Sequence, residues 1–72
     1  MRKRKLYLSE LIRRCKNQEF EINIRNGATL LSFKTRQECE DQLSQTYYWD
    51  RQVYHWRLMT NGKQTYLLIS LY

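Results

Sequence analysis

The sequence predicts a small α+β domain in the order αββαββ. Three observations carry that expectation: two Asn-Gly pairs, at Asn26-Gly27 and Asn61-Gly62, apolar and aromatic runs on both sides of each pair, and a stretch of helical apolar spacing ahead of each hairpin. Asn-Gly is the preferred centre of a two-residue type I′ turn, because both central residues need φ > 0, which Gly adopts freely and Asn better than most. The two hairpins are expected to form one antiparallel sheet with both helices on one of its faces. A chain of 72 residues is one domain, read as a basic mobile arm over 1–5 and a folded unit over 6–72.

Taken in order, Leu8, Leu11, Ile12 and Cys15 fall in one narrow sector of a helical wheel, with Glu10, Arg13, Arg14 and Lys16 around the rest. They predict an amphipathic helix between about Leu6 and Asn17. Glu19 to Lys34 predicts the first hairpin: a turn centred on Asn26-Gly27 pairs Ile24 with Thr29, Ile22 with Leu31 and Phe20 with Phe33 on an apolar face. Its reverse face sets Glu19 against Lys34, Glu21 against Ser32 and Asn23 against Leu30.

Thr35-Arg36-Gln37-Glu38 matches the capping-box pattern and starts a second helix, whose thin apolar stripe is Cys39, Leu43 and Tyr47. The second hairpin, centred on Asn61-Gly62, pairs Leu58 with Thr65, Trp56 with Leu67 and Tyr54 with Ile69. That register assigns Tyr54, Trp56, Leu58, Leu67, Ile69 and Leu71 to the core. Val53, His55, Arg57, Met59, Gln64, Tyr66, Leu68, Ser70 and Tyr72 go to the other face, where His55, Arg57, Tyr66 and Tyr72 are candidate contacts. Among the aromatics, Trp49, Tyr66 and Tyr72 are expected to be exposed.

Charge is local. The chain carries a net +6, and residues 1–18 hold all of that excess: Arg2, Lys3, Arg4, Lys5, Arg13, Arg14 and Lys16 against Glu10 alone. Closely spaced cations add their fields within a Debye length, so the pattern points to an anionic partner. Nucleic acid is the first expectation, with those seven side chains gripping phosphates. The ordinary alternative is a solvated helix face whose late cations suit the helix dipole.

A protein-binding module or small inhibitor of the mobile-element type is the rival reading. It would use an acidic partner surface, with exposed aromatics, Arg51 and Arg57 as anchors. A metal-free ribonuclease is the third, with His55 as general acid, Arg57 as phosphate clamp and Tyr66 as phenol on the open face. The opening Leu8-Ser9-Glu10-Leu11-Ile12 ahead of a hairpin resembles small toxin ribonucleases of the double-stranded-RNA-binding-like fold. Their Gly-Ser-His strand motif is absent here, so the resemblance transfers no catalytic residue.

His55 is the single histidine and Cys15 and Cys39 form no C-x-x-C pair, which argues against a metal centre and for free thiols. No cofactor is expected. No apolar run approaches a membrane span and no signal-peptide core follows the basic start, so no membrane partner and a cytoplasmic location are expected.

Overall fold

The computed structural model describes residues 5–16 and 18–72; Met1, Arg2, Lys3 and Arg4 of the basic arm, and Asn17 at the expected helix end, lie outside the described residues. Helix α1 spans Leu8–Arg14, strand β1 Glu21–Asn26, β2 Thr29–Phe33, helix α2 Arg36–Leu43, β3 Val53–Asn61 and β4 Gln64–Leu71, with a 3-10 turn over Tyr47–Asp50. The order is the expected αββαββ, and both helices contribute to one core on one face of a four-stranded sheet.

The sheet is mixed. Its order is β2-β1-β4-β3: each hairpin is antiparallel as expected, and the seam between them, β1 against β4, is parallel. Strands β1 and β4, whose Ile22, Ile24, Leu67 and Ile69 are all closed off, form the centre, and β2 and β3 become the edges. Tyr66-Leu67-Leu68-Ile69 reads as a nearly unbroken apolar run, the pattern of a central strand rather than an edge.

Both turns sit one residue later than expected. Asn26 pairs with Thr29 and Asn61 with Gln64, so the central residues are Gly27-Ala28 and Gly62-Lys63. Only the glycines have positive φ, 64° in each, which is the pattern of a type II′ turn with Gly first. The pairs move accordingly: Ile22 faces Phe33 and Ile24 faces Leu31 in one hairpin, while Leu58 faces Leu67 and Trp56 faces Ile69 in the other. A shift of two keeps every side chain on its face, which is why the apolar assignment largely survives. The expected Glu19 to Lys34 cross-strand pair gives way to Asn23 opposite Ser32, whose hydroxyl donates to Asn23 Oδ1 at 2.8 Å.

Helix α1 is shorter than expected because Leu6 and Tyr7 serve the sheet instead. Val53 N–H donates to the Leu6 carbonyl at 2.7 Å, Leu8 N–H donates to the Arg51 carbonyl at 2.9 Å, and Tyr7 bridges Gln52. The Thr35 cap forms, its hydroxyl accepting from Glu38 N–H at 3.1 Å, but the Glu38 carboxylate accepts from Lys34 N–H rather than from the cap amide. Tyr47 leaves the apolar stripe of α2; it is exposed in the 3-10 turn and stacks on Tyr48 at 5.6 Å. Trp49, expected to be exposed, is half-buried against the core.

Strand β3 departs furthest from expectation. Its register shifts between Val53 and His55, which leaves Tyr54 as the extra residue of a bulge. Val53 thereby turns into the core opposite Leu71, and Tyr54, expected inside, is 65% exposed. Beyond the bulge the core-side rows run Leu31, Ile24, Ile69, Trp56 and Phe33, Ile22, Leu67, Leu58. Ile24, Ile69, Ile22 and Leu67 are closed off, but Trp56 is 45% and Leu58 54% exposed, because the helical layer stops short of the β3 edge. No helix among the described residues is long and apolar enough to cross a membrane.

Candidate functional site

The described cations of the basic N-terminal region, Lys5, Arg13, Arg14 and Lys16, lie at two separate places. Helix α1 begins beside the start of β3, where Lys5 lines a groove with Leu6, Gln52, Tyr54, Trp56 and Tyr72. About 10 Å further along, at the usual rise per residue, the helix ends in Arg13 and Arg14. Arg13 and Lys16 then share a groove with Arg36 and Glu40 from α2. Arg2, Lys3 and Arg4 lie outside the described residues.

At this α1–α2 end the charges are unequal. Arg36 donates to Glu40 Oε2 at 3.0 Å, the one ion pair among the described residues. Arg13, Arg14 and Lys16 are exposed and share no carboxylate within bonding range there. Arg36 was not foreseen as part of this group. Its sequence neighbours read as an acidic helix start, and only the packing of α2 beside the end of α1 brings it to Arg13. The same proximity shows in Cys15, whose thiol is pushed up by burial and pulled partly back by the Arg36 charge.

The open face of the sheet is the second basic surface, on the layer opposite the helices. Register lays out its rows: Leu30, Arg25, Ser70, His55; then Ser32, Asn23, Leu68, Arg57; then Glu21, Tyr66, Met59. A shallow depression of about 330 Å³ is lined by Asn23, Arg25, His55, Arg57 and Ser70 with Leu30 and Leu68. His55 and Arg57 are thus brought together as the spacing expected, and Arg25 joins them from two strands away. Tyr66 is not in the depression. It lies opposite Met59, about 13 Å along the strand from His55 at the ordinary strand rise, and its hydroxyl donates to Gln64 at 2.7 Å. The three side chains of the ribonuclease constellation therefore do not converge on one point.

Tyr72 is exposed and meets Tyr54 edge-to-face at 5.1 Å. Arg51, weighed with Arg57 as an interface anchor, is engaged internally: its guanidinium donates to Asn26 Oδ1 at 3.2 Å and to the Tyr72 carbonyl. The balanced charge of residues 19–72 hides a segregation, since every acidic residue falls at or before Asp50 while Arg51, Arg57 and Lys63 follow it. Among the described residues no group of three or more His, Cys, Asp and Glu side chains is placed to hold a metal ion. No protein-family model, no curated protein and no solved structure matches this chain.

Proposed function

We propose that the protein is a small non-enzymatic nucleic-acid-binding protein, regulatory in role and cytoplasmic, that grips phosphates with the cations at the end of α1. The observation that carries this reading is the exposure of Arg13, Arg14 and Lys16 at the end of α1, with Arg13 and Lys16 in a groove beside Arg36 where Glu40 is the one acid. Unpaired surface cations keep their full field for an incoming polyanion, whereas cations tied into ion pairs must first give up a partner. The run Arg2, Lys3, Arg4, Lys5 supplies more charge to the same chain segment.

The open face supports binding over cleavage in this reading, because Tyr66 lies outside the depression that His55 and Arg57 line. The test is affinity for duplex and single-stranded oligonucleotides across a salt series. Each neutralised phosphate releases counterions, contributing a log-log slope of about −0.9 on duplex DNA and about −0.7 on single strands. Arg13, Arg14 and Lys16 acting alone give a slope of about −2.7 on duplex, steeper if the arm also engages. A broad RNA panel should remain uncut. Affinity that is absent or indifferent to salt would overturn the reading.

A further inference from the structure

We propose that the free edge of β3 receives an extended segment of a partner protein in which acidic and apolar side chains alternate. This goes beyond nucleic-acid binding and uses none of Arg13, Arg14 or Lys16. Strand β3 is the longest in the sheet, Val53–Asn61, and pairs only with β4, apart from its start, where the chain around Tyr7 crosses Gln52. Natural edges are blunted by proline, by short length, by inward charge or by a cover. From Tyr54 to Asn61 this one has no proline, and its bulge lies at the start, so the stretch from His55 onward remains regular.

The backbone of that edge is set out for pairing. Asn61 and Gln64 flank a two-residue turn and so exchange their main-chain bonds; the antiparallel alternation then directs the N–H and C=O groups of Thr60, Leu58 and Trp56 outward. An added strand bonding there would set alternate side chains on the two faces of the sheet. On the helix side they meet Trp56 and Leu58, both half-exposed with no helix above them, which calls for apolar residues. On the open side they meet His55 and Arg57, which calls for carboxylates.

Charge selects among occupants. Strands β3 and β4 hold no acidic side chain, and Lys5 at one end of the edge and Lys63 at the other have the same sign as Arg57. A second copy of this chain, itself at +6, would bring like charge to like; an acidic strand is complementary along the whole length.

The test uses the full chain, isotope-labelled, and a short capped peptide alternating Glu with Val. The controls are the same residues in two blocks, an alternating Lys-Val peptide, and the Glu-Val peptide N-methylated on the residues that would bond the edge. The alternating acidic peptide should shift the amides of Trp56, Leu58 and Thr60 and bind at least about tenfold tighter than each control. Leu58→Pro removes an outward N–H without breaking a rung to β4 and should abolish binding; the N-methylated peptide gives the same information with the protein untouched. Arg57→Glu should reverse the preference between the Glu and Lys peptides.

Equal binding of the block or N-methylated peptide would overturn the proposal. So would self-association of the free protein that Leu58→Pro removes, peptide binding that appears only after residues 1–4 are deleted, or an oligonucleotide shifting those amides while the peptide does not. Loss of nucleic-acid binding with the peptide shifts intact would sink the phosphate grip alone.

Discussion

Cys39 is a cysteine that chemistry should not reach. It is fully buried on the core side of α2, and its thiol is pushed up from the ordinary 9.0 to about 12, first by burial, with Glu40 and Glu38 adding and Arg36 opposing. A thiol whose folded pKa is raised favours the folded state while it stays protonated. That contribution is complete below pH 9.0 and is lost as pH climbs towards about 12. The melting temperature of the wild type should therefore fall more steeply across that window than that of Cys39→Ala. A thiol reagent at neutral pH should modify Cys15 well before Cys39, and parallel melting curves for both proteins would contradict the burial. Arg51 makes the complementary point. Beside aromatics in sequence it reads as an interface anchor, yet it ties Asn26 to the Tyr72 carbonyl, two partners 25 and 21 residues away. Arg51→Ala should cost about 1 kcal/mol in denaturant unfolding, mainly through the half-buried bond to Asn26, since water can replace the donor at exposed Tyr72. No local pattern announces such a bond.

At the scale of elements, the hairpins were legible and their centres were not. Asn-Gly marks a turn, but whether Gly occupies the second or the first central position depends on whether Asn can remain a paired strand residue, as Asn26 and Asn61 do. The two geometries make different demands. With Gly62 at φ 64° and Asn61 on the strand, Gly62→Val should destabilise by about 1–2 kcal/mol, while Asn61→Thr should stay within about 0.5 kcal/mol. A Cβ at Gly62 meets nothing within 4 Å, so the cost is one of backbone conformation and not of crowding. If the Asn61 change is the more damaging in thermal melts, the turn is centred where the sequence pattern suggested. The Tyr54 bulge was hidden for a related reason. Strict alternation from Val53 to Asn61 puts Tyr54 inside, whereas the bulge turns Val53 inward at the point where its N–H donates to the Leu6 carbonyl, a long-range contact that alternation does not show.

For the whole molecule, the class, the element order and the helix-covered face could be read from period and turn chemistry. The parallel seam between β1 and β4 could not, because it joins residues some 45 positions apart, as Ile22 to Leu67, and either strand of each hairpin could have taken the inner position. That seam decides the candidate sites. It aligns Arg25 with Ser70 and so with His55, and it leaves β3 as an edge. The basic N-terminal region was visible as composition, while its division into a Lys5 corner and an Arg13, Arg14, Lys16 end required the fold.

The phosphate grip is tested most directly by charge reversal. Arg13 and Arg14 are exposed, as is Lys63 at the far turn, so the double change Arg13→Glu with Arg14→Glu and the single change Lys63→Glu should both fold like the wild type by circular dichroism. In oligonucleotide binding across a salt series, the double reversal should weaken affinity at least about tenfold and flatten the log-log slope on duplex DNA by about 2. Lys63→Glu should change neither by more than about twofold. An unchanged slope in the double variant, or equal damage from Lys63→Glu, would contradict phosphate binding at the end of α1.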